Sequence, residues 1–271
     1  MAALARNVNI TAMTEEYAMT DISTIMTLLN SWLQPDRIRD YCPNGLQVEG
    51  RKNVRKILCG VTASEQLLDA AIEQGADAVL VHHGYFWKGE SAAIVGMKRR
   101  RIAKLLQHEI SLIAYHLPLD IHPDYGNNAA LAAHLGFTVE GRVKAGDVEG
   151  LLWRGALPQP MLVSDLAEHI GNRLQRAPMV ICDDPGQVVS TVAWCTGGAQ
   201  GFIDQAVSLG VDVYLSGEIS EQTVHSAREQ GIVYVAAGHH ATERYGVQAL
   251  GKALAENVDV EISYFDGDNP V

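Results

Sequence analysis

The sequence predicts an α/β protein made of two related lobes, and three observations predict it. First, the 271-residue chain repeats itself. ILCGVTASEQLLDAAIEQGADAVLVHH at 57–83 returns as VAWCTGGAQGFIDQAVSLGVDVYLSGE at 192–218, an offset of 135, about half the chain. Asp69/Asp204, Ala71/Ala206, Gly75/Gly210, Asp77/Asp212 and Leu80/Leu215 are identical. Second, each window reads as strand–helix–strand, the unit that builds parallel sheets. Third, 47% apolar and 20% charged residues is the balance of a folded globular enzyme, not of a disordered chain. A chain of this length buries enough surface to fold without a staple.

Taken in order, Asn44-Gly45 in DYCPNGLQVEG reads as a turn between a helix and a strand. Leu67, Leu68, Ala71 and Ile72 make a helical stripe closed by Gly75, and Ala78–Val81 is the strand that follows. GMKRRRIAKLLQHE (96–109) then reads as a helix and SLIAYH (111–116) as a strand. Residues 140–190, with GRVKAGDVEG and the prolines of ALPQP, read as a lobe boundary that includes a helix over MLVSDLAEHIGNRL. In the second copy Phe202, Ile203, Ala206 and Val207 repeat the stripe and Gly210 the stop. Val213–Leu215 repeats the strand, SEQTVHSAREQG (220–231) reads as a helix, and IVYVAAGHH (232–240) ends in a further strand.

The net charge of −11 disfavours a nucleic-acid partner, whose phosphates are met by basic side chains. No apolar run is long enough for a membrane helix, and the N-terminus lacks an apolar signal core. Cys42, Cys59, Cys182 and Cys195 are scattered without a CxxC pair. They read as reduced thiols of a cytoplasmic protein.

Ligands of parallel α/β sheets bind outside the carboxyl ends of the strands. Those ends carry His82-His83-Gly84, His116-Leu-Pro-Leu-Asp120, Ser216-Gly217-Glu218 and Gly238-His239-His240-Ala-Thr-Glu243. Adjacent strand residues face opposite ways, so His82 and His83 serve two ions or straddle one from a chain turn. Pro118 disfavours a helix between His116 and Asp120 and points to a loop. His239 and Glu243 share a helix face, with His240 turned about 100° away. Each pair alone is more often structural, as a packed histidine, a turn cap or a surface ion pair. Together, imidazoles and carboxylates at one end of several strands make a site for Zn, Fe, Mn or a similar divalent ion. The donors outnumber what one tetrahedral ion uses. Two bridged ions would use them all, lowering the pKa of a bound water toward 7 and clamping attacking and leaving oxygens. The turn Thr196-Gly-Gly-Ala-Gln-Gly201 fits no nucleotide fingerprint and is read as a tight turn rather than a phosphate cradle. Tyr85, Phe86 and Trp87, the clustered aromatics, are read as core or subunit contacts rather than a base-stacking pocket.

In combination, PNGLQVEG (43–50), HHGYFWKG (82–89), HLPLD with GNN (116–120, 126–128), SGE with the later His225, and GHHATER (238–244) resemble the NIF-three-like family. That family is also catalogued as GTP cyclohydrolase 1 type 2 homologs. The resemblance covers about 20–271 and implies a two-lobed α/β protomer in a toroidal homohexamer, with two metal ions per subunit. It implies His82, His83, Asp120, His239 and Glu243 as ligands, Glu243 bridging, and His116 as a nearby catalytic proton-transfer residue. It leaves His225, His240 and Glu218 without a role. Four segments are expected: an N-terminal extension over 1–19, disordered or due to an upstream start given Met13 and Met19; a first lobe over 20–139; a second lobe over 140–238; and a segment, 239–271, that returns to the first lobe and completes the metal site. The implied function is a dinuclear metal-dependent hydrolase of a nucleotide-like small molecule, GTP cyclohydrolase chemistry included. The rival is a non-catalytic metal-binding ring, a scaffold or metal-handling protein.

Overall fold

The structure, a computed structural model, describes residues 19–271. Apart from Met19, the extension expected at 1–19 lies outside the described residues. The first half runs β1 (Thr20–Asp21), α1 (Ile22–Leu33), β2 (Gly45–Val48), β3 (Asn53–Val54), β4 (Lys56–Thr62), α2 (Glu65–Glu73), β5 (Ala78–His83), α3 (Gly96–Gln107), β6 (Ser111–Ala114), α4 (Leu117–Ile121) and α5 (Asn127–Leu135). There follow β7 (Thr138–Ala145), β8 (Val148–Leu162), α6 (Val163–Leu174), β9 (Met179–Ile181), β10 (Val188–Cys195), α7 (Ile203–Ser208), β11 (Val213–Ser216), α8 (Glu221–Gln230), β12 (Val233–Ala236), α9 (His239–Ala255) and β13 (Glu261–Tyr264).

Among the described residues one sheet has the order β13-β4-β5-β6-β2, and a second has β7-β8-β10-β11-β12-β9. In the first, β13, β4, β5 and β6 are parallel and β2 closes the edge antiparallel. In the second, β10, β11 and β12 are parallel and β8 and β9 flank them antiparallel. Strands buried on both faces need near-continuous apolar runs, which explains ILCGV and AVLV. Ile57, Cys59, Ala78 and Leu80 point to the core under α1 and α9, while Leu58, Val79 and Val81 point to the core under α2 and α3. The second sheet divides alike. Val192, Trp194, Val213 and Leu215 face α5 and α6, and Ala193, Cys195 and Tyr214 face the opposite core, which includes Ile203 and Ala206 of α7.

The two windows of the repeat share one register. Ile57 pairs with Ala78 as Val192 pairs with Val213, and the match continues to Gly60/Val81 and Cys195/Ser216. Asp77 Oδ2 accepts the backbone N–H of Arg55 at 2.8 Å and of Lys56 at 3.0 Å. Asp212 Oδ2 accepts those of Ser190 at 2.8 Å and Thr191 at 2.9 Å, each partner shifted by the same offset. Gly75 and Gly210 close their helices at φ +64° and +67°, the left-handed conformation that favours glycine.

Two local expectations are corrected. Residues 140–190 are not mainly a connecting boundary: β7 and the long β8 form a hairpin within the second sheet, with Gly146 in its turn at φ +55°. Asp120 is not on a loop but in α4, a single helical turn. Pro118 sits in the first turn, where the N–H it lacks has no intrahelical partner in any case.

Candidate metal centre

The carboxyl ends of β5 and β6 meet the amino end of α9, and the side chains of the sequence clusters converge there. His82 is fully buried, and its Nδ1 lies 3.0 Å from the carbonyl of Tyr115. Donating Nδ1–H to that carbonyl fixes the ring with Nε2 facing the carboxylates. Nε2 stands 3.5 Å from Asp120 Oδ1 and 3.5 Å from Glu243 Oε1. His83, the last residue of β5, has Nδ1 3.2 Å from Thr62 Oγ1 and Nε2 3.3 Å from Glu243 Oε2. His239, the first residue of α9, has Nδ1 2.7 Å from Glu218 Oε1 and Nε2 3.3 Å from the same Glu243 Oε2. Glu243 follows one helical turn later, as its spacing required.

Among the candidate groups of donors, two triads share one carboxylate, His82, Asp120 and Glu243, and His83, His239 and Glu243, while His116 also comes together with His82 and His83, and with Asp40 and Cys42. Three imidazoles are tied through Nδ1 and aim Nε2 at the same group. Glu243 is 3% exposed, yet its Oε2 has no hydrogen-bond partner. A buried carboxylate oxygen left this way is costly in protein alone, and a cation satisfies it. The donor set fits divalent metal.

The carboxylates make this a place that favours positive charge: against its burial, Glu243 and Glu218 raise the pKa of His239 to about 9. Burial alone would lower the pKa of His82, but Asp120 and Glu243 beside it raise it to about 9. For His83 burial wins, with His82, His116 and His239 adding repulsion, and its pKa falls to about 3. Burial also opposes ionisation of Glu243, yet the neighbouring His83 and His82 hold its carboxyl well below the usual range. Asp120 is pushed up by its burial. Asn127, from the GNN stretch, donates Nδ2–H to Asp120 Oδ1 at 2.8 Å, and Thr196 Oγ1 reaches the same oxygen at 3.4 Å.

His116 precedes α4 and is near the cluster, its ring 5.1 Å from that of His82 and 5.8 Å from that of His83. Its Nδ1 is 2.7 Å from Asp40 Oδ1. Trp87 meets the His116 ring edge-on at 5.0 Å, and Tyr41 lies 6.2 Å away. Of the aromatic run, Tyr85 is core, buried with its hydroxyl on Ala63 O, and Trp87 is half-buried beside His116. Phe86 packs on the first-sheet core at φ +66°.

The glycine-rich turn is a tight turn, and it has a neighbour the sequence did not indicate. It lies against Glu243 and His239, and Gly197 N–H donates to Thr242 Oγ1 at 3.0 Å. His240 points elsewhere, to Asp266 at 3.1 Å, and His225 is exposed on α8. Asp40 and the contact of Glu218 with His239 were missed. An acidic residue just before the PNGLQVEG motif, and one just past a strand end, were the signals available.

The cysteines are unpaired, and burial, with Asp40 and Asp120 nearby, raises the Cys42 thiol to about 12. None of the helices among the described residues is long and apolar enough to cross a membrane.

A protein named GTP cyclohydrolase 1 type 2 homolog from Pseudomonas aeruginosa is 57% identical over 249 residues, 92% of this chain and 98% of the relative. Its namesake in Escherichia coli K12 is 55% identical over 243 residues, 90% and 96% of the two chains. Among solved structures, the protein ybgI, described as of unknown function, superimposes with a TM-score of 0.89 at 52% identity, over 93% of this chain and 100% of that one. TTHA1606 from Thermus thermophilus gives 0.83 at 32% identity, over 93% and 100%. The model of one family, Duf34/NIF3 (NGG1p interacting factor 3), matches residues 20–270, and the chain belongs to that family.

Proposed function

We propose that the protein is a dinuclear metal-dependent hydrolase acting on a small, nucleotide-like molecule. The observation that carries this reading is Glu243, a buried carboxylate with one oxygen toward His82 and the other toward His83 and His239. His82, Asp120 and Glu243 would hold one ion, and His83, His239 and Glu243 the second. Bound there, two such ions would supply an activated water near neutral pH and stabilise charge that develops on oxygen. The chain's own residues supply the rest. Asn127 and Thr196 hold Asp120 in place, Glu218 orients His239, and His116 stands beside the cluster to exchange a proton at Nε2. Trp87 packs edge-on against the His116 ring at 5.0 Å and its Nε1–H is held by the Gly84 carbonyl. The name carried by the relatives, GTP cyclohydrolase 1 type 2 homolog, makes GTP the first compound to try.

The same proposal includes two related lobes, 20–139 and 140–238, with 239–271 returning to the first lobe. The shared register and the matching Asp77 and Asp212 contacts support it. It also includes a cytoplasmic ring of six subunits, which the mass in solution would check.

The test is metal content per subunit for protein purified without chelator, wild type against Glu243→Ala, followed by a hydrolysis screen begun with GTP. About two ions in the wild type, falling in the variant, with turnover that falls alike, is the expected result. Zero or one weakly held ion, or unchanged metal and activity in Glu243→Ala, overturns it. Two ions without turnover on any substrate would favour the metal-handling ring instead.

A further inference from the structure

We infer that Asp40 is the positioning residue of His116, fixing its ring and holding the proton on Nδ1 so that Nε2 is left free as a proton acceptor beside the metal centre. The inference rests on the hydrolase reading only for its use, since the arrangement stands on geometry alone.

Asp40 lies between α1 and β2, far from His116 in sequence, and its side chain is 2% exposed. Its carboxylate is surrounded by donors. Oδ1 accepts Tyr41 N–H at 2.6 Å and lies 2.7 Å from His116 Nδ1. Oδ2 accepts Leu117 N–H at 2.9 Å and Asn44 Nδ2–H at 2.9 Å. Asn44 also receives the His116 backbone N–H through its Oδ1 at 2.7 Å. The side chain and both flanking amides of His116 are therefore clamped by this one segment. A carboxylate can only accept, so the nitrogen facing it carries the proton, and in the neutral ring Nε2 is then the bare one. Burial works against ionisation of Asp40, but the bonds from His116, Asn44 and Tyr41 outweigh it and hold its carboxyl below the usual range. Cys42, the other donor-type group nearby, is a protonated thiol and does not compete.

Asp40→Asn makes the argument decisive. An amide must turn its NH₂ toward one of the two donor pairs. On the Oδ2 side it would oppose Leu117 N–H, and relief by flipping Asn44 would break the bond to His116 N–H. On the Oδ1 side it opposes Tyr41 N–H, but His116 can relieve the conflict by moving its proton to Nε2. The variant is thus expected to hold His116 in the wrong tautomer, the effect of replacing the His-orienting Asp of a serine protease by Asn.

The experiment is nitrogen NMR of histidine-labelled protein, metal-free and zinc-loaded, recorded well above the ordinary imidazole pKa of about 6.5. His116 is assigned by the signal lost in His116→Gln. The expected result is Nδ1–H in the wild type under both conditions and Nε2–H in Asp40→Asn, with zinc content unchanged. Where a substrate is turned over, kcat should fall on the order of 10⁴-fold with KM little changed. A wild-type ring protonated at Nε2 overturns the inference without any variant. So does Asp40→Asn keeping the wild-type tautomer. Neither outcome touches the metal reading. Conversely, the absence of bound metal in protein purified without chelator overturns that reading while the metal-free spectrum still decides the role of Asp40.

Discussion

Gly197 and Glu243 approach so closely that no side chain fits between them. A Cβ on Gly197 would run into Oε1 of Glu243 and stand 3.0 Å from Nε2 of His239, and the residue sits at φ +68°. Gly197→Ala is therefore expected to fail twice. The left-handed backbone costs about 1–2 kcal/mol for an L side chain, and the methyl displaces the carboxylate shared by both triads. The turn cannot easily yield, because Gly197 N–H is tied to Thr242 and its carbonyl accepts Gly217 N–H at 2.9 Å. Metal content should fall by at least one ion per subunit, read by elemental analysis, with a lowered melting temperature. Full metal content in a folded variant would show that Glu243 does not need its present position.

That contact also marks what a sequence can convey. The spacing of His239 and Glu243 was legible because an unbroken helix turns local spacing into a shared face. The buried strands were legible because ILCGV and AVLV have no polar face to present. What stayed hidden depends on which strands lie side by side. Asp40 reaches His116 because antiparallel β2 lies against β6, and nothing near either residue announces the other. The hairpin of β7 and β8 is hard to read because Gly141, Gly146, Pro158 and Pro160 look like breakers. In the fold Gly146 makes the turn, and both prolines fall between the stretches of β8 that pair with β10, Gly155–Ala156 on one side and Met161–Leu162 on the other. Proline costs little where no ladder bond is lost.

Glu218 offers a way to perturb one triad and spare the other. Its Oε1 receives the Nδ1–H of His239 at 2.7 Å, while its own carbonyl is held independently by the Tyr234 hydroxyl at 2.5 Å. Glu218→Ala should leave the loop in place and free the His239 ring. Loss of such an orienting carboxylate weakens metal binding by about 10–100-fold. Competition with a chelator should therefore resolve one weakened ion, held by His83, His239 and Glu243, and one unchanged. Equal weakening of both, or of neither, would contradict the division into two triads.

The carboxylate of Asp212 provides a stability test with a defined pH signature. Burial raises its pKa, but the amides and hydroxyls of Thr191 and Ser190 all converge on Oδ2 and bring it below the ordinary 3.8. Hydrogen bonds to an ionised group contribute about 1.5–3 kcal/mol, and the part-buried donors of Ser190 and Thr191 left behind, still within reach of water, add little. Asp212→Ala is thus expected to lose roughly 2–3 kcal/mol near neutral pH, measured by urea unfolding at fixed protein concentration. A folded pKa below the unfolded one means that the unfolded chain takes up the proton first. The stabilisation is therefore complete above the ordinary carboxylate value and is lost as pH falls through the depressed one. The gap between wild type and Asp212→Ala should be flat from neutrality down to about pH 5 and shrink below about pH 4. A gap that stays constant into strong acid would mean that side-chain packing, not the charge on Oδ2, joins β10 to the start of β11.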